Sequence, residues 1–104
     1  MRGEMIVVTT KGDFKVTLLT TAPDLNQLQA AVKGQVEVVP FFNKFMGRRC
    51  VAFCNEEGKL RNLPVNLKAQ AFWAAAINRA TITEDTLVGD VVIIRGDDEL
   101  LEAL

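Results

Sequence analysis

The chain has 104 residues, with 12 Lys plus Arg against 13 Asp plus Glu, a formal net charge of −1, two Cys, and neither His nor Tyr. Without His there is no Ser-His or Cys-His nucleophile pair, no imidazole general base and no histidine metal ligand, which disfavours catalysis while leaving single carboxylate, Lys or Cys chemistry open. The 49% apolar and 24% charged composition fits one globular domain with a real core and excludes a disordered chain.

In chain order, two β segments come first, Met5 to Thr10 and Phe14 to Thr20, joined by Lys11-Gly12-Asp13, where Gly12 supplies the positive φ of a tight hairpin. Phe14, Val16 and Leu18 alternate with Lys15 and Thr17, which predicts a buried apolar face on the second strand. Thr21 is the expected cap of a helix with Pro23 in its first turn, Leu25, Leu28 and Val32 on one face, and Gly34 at its C-terminal stop. Gln35 to Pro40 reads as a strand, with Glu37 facing away from Val36 and Val38. Another strand is predicted over Arg49 to Asn55, with Glu56 to Lys59 as the turn after it. The segment between these strands, Phe41 to Arg48, has no predicted element.

Asn66 is a good N-cap for a helix reaching Ala80, along which Ala69, Phe72, Trp73, Ala76, Ile77 and Ala80 form an amphipathic stripe opposed by Lys68, Gln70, Asn78 and Arg79. Ala71, Ala74 and Ala75 lie off that stripe, so the helix is expected to be sandwiched in the core, or else covered by a partner chain. Val88 to Arg95 predicts a strand covered on both faces, because Val91 to Ile94 are four consecutive β-branched residues. Asp97, Asp98 and Glu99 then open a short helix with Leu100, Leu101 and Leu104 on its apolar edge. The expected fold is α+β: a single domain over residues 1–104, ordered β-β-α-β-β-α-β with a short C-terminal helix, its mixed or antiparallel sheet packed on helices.

Charge is uneven along the chain. Met1 to Arg79 carries 11 basic and 6 acidic residues, whereas Ala80 to Leu104 carries one basic and 7 acidic. This predicts a basic body partly neutralised by an acidic C-terminal segment folded against it. The four apolar residues Met5 to Val8 are too few for a signal-peptide core, and the longest apolar run, Ala71 to Ile77, is far below the ~20 residues of a membrane span. A soluble cytoplasmic protein with no membrane contact is therefore expected.

Cys50 and Cys54 on one strand would share a face at roughly 13 Å, beyond a disulfide or a common metal ion, and read as small hydrophobes in a reducing compartment. The dispersed glycines contain no phosphate-cradle motif, and no metal, cofactor or catalytic constellation is expected. The outstanding local feature is Phe41 to Arg49, where three Phe, one Met and three basic residues interleave. Phe41, Phe42, Lys44, Phe45, Arg48 and Arg49 are the candidate partner-binding residues, for a protein or, with weaker support, a nucleic acid. The bland alternative is that these Phe side chains fill the core while the basic groups stay wet.

Two stretches, LNQLQAAVKGQVEVVP at Leu25 to Pro40 and NEEGKLRNLPVN at Asn55 to Asn66, together with the Val-Gly-Asp-Val-Val run from Val88 to Val92, resemble a family of small bacterial, phage and plasmid-borne domains of unknown function. The resemblance covers roughly Met5 to Ile94 and marks Gln29, Glu37, Asn55, Glu56, Asn66 and Asp90, for which the family supplies no role. Asn66 reads as an N-cap, Glu56 as a turn residue and Asp90 as a strand entry; a Glu37 buried under a covered sheet would need a partner such as Arg. Gln29, Glu37, Asn55, Asn66 and Asp90 are the candidate residues of a small-molecule pocket. The expected role is a non-catalytic macromolecular interaction module of phage or plasmid origin, acting on a protein partner or a second copy of itself. The alternatives are a pocket near Glu37 that binds or transforms a small molecule, and nucleic-acid binding through Phe41 to Arg49.

Overall fold

The computed structural model describes residues 1–77 and 85–104. The elements are β1 (Gly3–Val8), β2 (Phe14–Leu19), α1 (Leu25–Val32), β3 (Val36–Val38), β4 (Lys44–Phe45), β5 (Arg48–Asn55), α2 (Leu67–Ile77), β6 (Val91–Gly96) and α3 (Asp98–Glu102). The sheet runs β2-β1-β6-β5-β3, with β4 paired to the opening residues of β5. Every pairing of these strands is antiparallel, so the α+β class holds with a purely antiparallel sheet and one more strand, β4, than the sequence predicts.

Strand pleating divides the interior into two cores. Ile6, Val8, Cys50, Ala52, Val91 and Ile93 face α2, which contributes Ala69 and Trp73. Leu19, Phe53, Val92 and Ile94 face the other way, onto Leu28 and Val32 of α1 and Leu100 and Leu101 of α3. All four residues Val91 to Ile94 are fully buried, as their β-branched run predicts for a doubly covered strand. The Trp73 indole N–H donates to the Pro40 carbonyl at 2.8 Å, so this ring is buried with its polar atom satisfied.

The β1–β2 hairpin forms as expected, with Gly12 at φ +90. Its outer strand does not bury its apolar face: Phe14, Val16 and Leu18 are 45%, 56% and 81% exposed. The reason is position. β2 is the end strand of the sheet, and α2 meets it at Phe14, through the Phe72 ring at 5.8 Å and the Lys68 ammonium over the ring.

Helix α1 is capped by Asp24, not by the expected Thr21. The Gln27 N–H donates to Asp24 Oδ1 at 2.8 Å and the Asp24 N–H donates to Gln27 Oε1 at 2.9 Å, a reciprocal capping box that leaves Pro23 outside the helix. At the far end Lys33, at φ 61, takes the left-handed position expected of Gly34. Gly34 is required for another reason: a Cβ there would lie 2.6 Å from the Asn55 side-chain nitrogen.

Asn66 caps α2 as predicted, accepting the Ala69 N–H at 3.0 Å. The predicted continuation through Asn78, Arg79 and Ala80 lies outside the described residues. The helix is not sandwiched. Ala69 and Trp73 are buried against the sheet, whereas Leu67, Ala71, Ala74 and Ala75 are exposed because the sheet packs on one side only. Strand β6 starts at Val91, three residues later than predicted, since Gly89 at φ 74 turns the chain after Val88 bridges to Val65.

Asp97 caps α3 by accepting the Leu100 N–H at 3.0 Å. Leu100 and Leu101 are buried, but Leu104 is 39% exposed beyond the helix end. The acidic segment does fold against the basic body: Asp98 pairs with Arg49 at 2.7 Å, and Asp97 accepts the Arg2 N–H at 2.9 Å. Among the described residues, no helix is long and apolar enough to cross a membrane.

Candidate functional site

The segment from Phe41 to Arg49 forms the β4–β5 hairpin and the loop before it. Phe45 opposes Arg48, so Met46 and Gly47 are a two-residue connection, with φ values of 50 and 81. Positive φ at both central positions defines the primed turn that suits the right-handed twist of a hairpin. Phe42 and Phe45 are 2% and 5% exposed and belong to the core. Phe41, at φ 62, is 65% exposed, and Met46 is 72% exposed. Two large apolar side chains thus stand in water on backbone that favours Gly or Asn, each at a conformational cost of roughly 1–2 kcal/mol.

Lys44, Arg48 and Arg49 are all exposed, as a basic rim requires, but Arg49 is engaged by Asp98. Between this hairpin and α2 lies a groove of about 630 Å³ lined by Lys44, Phe45, Met46, Phe72, Ala75 and Ala76, with Asn43 and Gly47 at its edge. The Phe45 and Phe72 rings meet edge to face at 4.7 Å and form its apolar floor. Of the residues singled out by sequence, the hairpin therefore gathers Lys44 and Phe45 at one concavity, and leaves Phe42 in the core.

Of the candidate pocket residues, Glu37 and Asn55 border one cavity, whereas Gln29, Asn66 and Asp90 do not line it. Asn66 is fully buried and donates from Nδ2 to the Val8 and Gly89 carbonyls at 2.8 and 2.9 Å while capping α2, so it joins three elements. Asn55, 4% exposed, donates to the Val32 carbonyl at 3.1 Å and accepts the Glu57 N–H at 2.8 Å, locking the C-terminal end of α1 to the turn after β5. Glu56 sits exposed in that turn, its N–H donating to the Gln35 carbonyl at 2.8 Å. Asp90 accepts the Thr10 N–H at 3.1 Å and pairs with Lys33 at 3.5 Å, and Gln29 donates to Gln35 at 2.9 Å. These are fasteners between neighbouring segments.

Glu37 lies on the outer strand β3 with its side chain exposed, so no buried Arg is required. It accepts the Cys54 thiol at 3.7 Å, and both residues border a cavity of about 100 Å³ that Asn55, Lys59, Trp73, Asp85 and Thr86 also line. Lys59 is ion-paired to Asp85 across its mouth. Burial pushes the Cys54 thiol up to about 11, with the Glu37 carboxylate adding to the effect; burial likewise pushes Cys50 up to about 11 against the opposing charge of Arg95. Both cysteines are free and share the α2-facing side of β5. A thiol held protonated at neutral pH is a poor nucleophile. Among the described residues, no three His, Cys, Asp or Glu side chains are grouped to hold a metal ion.

Sequence reasoning passed over Met46, Phe14, Val16 and Leu18. The Met46-Gly47 pair between Phe45 and Arg48 was the available signal for the tight turn, but its first position normally carries Asn or Asp. The exposure of β2 had no local signal, since alternation alone does not say whether a helix covers the face.

The molecule is defined by these features as a small α+β domain whose antiparallel sheet is covered by helices on both faces, with an apolar groove open at one end of α2. The chain belongs to the family described as Domain of unknown function (DUF3846), which it matches over residues 1–102. Neither the curated proteins nor the solved structures contain a match to it.

Proposed function

We propose that this chain is a non-catalytic interaction module that docks the apolar side of a partner protein in the groove between the β4–β5 hairpin and α2. The observation that carries this reading is Met46, 72% exposed and held at φ 50 on the rim of a groove floored by Phe45 and Phe72. A flexible thioether over an aromatic floor is suited to gripping apolar side chains of varied shape. Lys44 on the same rim favours a partner segment with acidic flanks. Burial of Phe42 and Phe45 weighs against nucleic acid, because it leaves only Phe41 as an exposed ring for base stacking in this segment. The high thiol pKa values and the structural use of Asn55, Asn66 and Asp90 weigh against catalysis.

The test is affinity isolation from the native cell with the wild-type chain and with a Met46→Asp, Ala75→Asp variant as parallel baits, followed by mass spectrometry. The expected result is a protein held by the wild type and lost from the variant. Identical protein sets on both baits, or nucleic acid as the salt-sensitive companion of the wild type, would overturn the reading.

A second reading, a small-molecule site at Glu37, is favoured by the cavity shared with Lys59, Trp73 and Asp85. Its volume of about 100 Å³ is below the ~300 Å³ at which drug-sized ligand sites begin, which restricts it to a ligand of few atoms.

A further inference from the structure

The two ends of the sheet are protected very differently. At one end β3 is three residues long and leads into Pro40, features that blunt an edge. At the other, β2 presents six residues without Pro, and its apolar side chains Phe14, Val16 and Leu18 are open to water. Hairpin geometry fixes which backbone groups are free. The Thr9 N–H donates to the Asp13 carbonyl and the Gly12 N–H to the Thr9 carbonyl, both at 2.9 Å, so Thr9 and Asp13 form a hydrogen-bonded pair. Antiparallel ladders alternate, which makes Val8 opposite Phe14, Ile6 opposite Val16 and Glu4 opposite Leu18 the non-bonded pairs. The N–H and C=O of Phe14, Val16 and Leu18 therefore point away from β1, to the open edge.

We propose that this edge is a self-association site: β2 pairs antiparallel with β2 of a second copy about a two-fold axis that sets Val16 opposite Val16. In this register Phe14 meets Leu18 of the second copy and Leu18 meets its Phe14. All three apolar residues lie on one continuous face, and each outward N–H and C=O is met by the residue opposite. Lys15 faces Thr17. Moving the axis to Lys15 would set two lysines directly opposite each other, and moving it to Thr17 would leave Phe14 against Thr20; the Val16 register avoids both.

The charges along the seam do not oppose this arrangement: the Lys68 ammonium sits 4.9 Å above the Phe14 ring, and Glu4, opposite Leu18, is held by Arg95 at 2.9 Å in its own chain. An isologous contact of this kind closes as a dimer, uses the β2 edge of both copies and leaves a third copy only the short β3 edges. The site is separate from the groove beside Met46, so failure of one proposal leaves the other standing.

The test is sedimentation analysis of the whole chain across a concentration series. The expected mass rises from 11.5 kDa to about twice that value, and Val16→Lys, which sets like charges at the axis, raises the dimer dissociation constant roughly tenfold or more while the thermal melt of the monomer is retained. Val16→Pro gives the same result, since the lost N–H is the outward one. For register, Val16→Cys cross-links to itself on mild oxidation, whereas Lys15→Cys, diagonal to its own copy, does not. A chain that remains monomeric at millimolar concentration, a dimer indifferent to both Val16 substitutions, or cross-linking through residue 15 instead of 16 would overturn the proposal.

Discussion

Gly3 of β1 and Gly96 of β6 stand directly opposite each other at one end of the β1–β6 ladder. A Cβ on Gly96 would lie 2.7 Å from the Gly3 Cα and closer still to the Arg2 carbonyl oxygen; a Cβ on Gly3 would lie 2.5 Å from the Arg95 carbonyl oxygen. In both cases the nearest atom is a backbone carbonyl oxygen, which no side-chain rotation relieves, so backbone must move. Gly96→Ala is expected to cost about 2–3 kcal/mol in urea unfolding. Gly47→Ala, where a Cβ would meet nothing within 4 Å but φ is +81, is expected to cost only about 1 kcal/mol.

Met46 offers the opposite outcome. Replacing it with Asn, which tolerates its left-handed backbone, should raise stability by about 0.5–1 kcal/mol in the same assay while removing the apolar rim of the groove. A stabilised variant that no longer captures the partner would separate the two roles of this residue.

Asn66 bonds two carbonyls and one N–H from the ends of β1, the Gly89 turn and α2. Asn66→Ala is expected to lose about 2–4 kcal/mol, from the missing cap and the two carbonyls left buried without a donor. Asn66→Asp should be as damaging at neutral pH, because a carboxylate cannot donate to Val8 or Gly89. Urea midpoints for the two variants check this.

The fold was readable wherever a side chain acts through its own neighbourhood. The Val91 to Ile94 run announced a strand buried on both faces, and Asn66 announced a helix start. Legibility failed where the outcome depends on what lies across a gap. Phe14, Val16 and Leu18 alternate as a buried strand should, yet all three are exposed, and α2 meets the strand at Phe14. Lys33 occupies the left-handed position because Gly34 is needed beside Asn55, a residue 21 positions away that no local pattern connects to it. Of the candidate site, the concentration of Phe, Met and basic residues was visible; which rings turn inward was not, since that is decided by the unpredicted turn at Met46 and Gly47.

The two thiols give a pH dependence whose sign follows from their raised values. Folded Cys50 and Cys54 keep their protons to about 11, whereas unfolded chains release them near 9.0. Their contribution is therefore fully present below about 9, declines as pH rises from there towards about 11, and falls no further above that, because the unfolded state binds fewer protons across this window. Denaturant midpoints measured from pH 8 to 11 should fall for the wild type and fall less for a Cys50→Ala, Cys54→Ala chain. Iodoacetamide at pH 7.5 should label both thiols in denaturant and neither at a comparable rate in the native protein.

The strand at the centre of the sheet, β6, comes after the other described strands in chain order. β6 lies between β1 and β5, and its alternate residues are shared by both cores, so neither core can close while Val91 to Gly96 is still inside the ribosome. Until then the β1–β2 hairpin and the β5 segment carry unsatisfied edges on a nascent chain. Closure of the two cores is thereby postponed until β6 has emerged, and the interval before it is when a chaperone has most to shield.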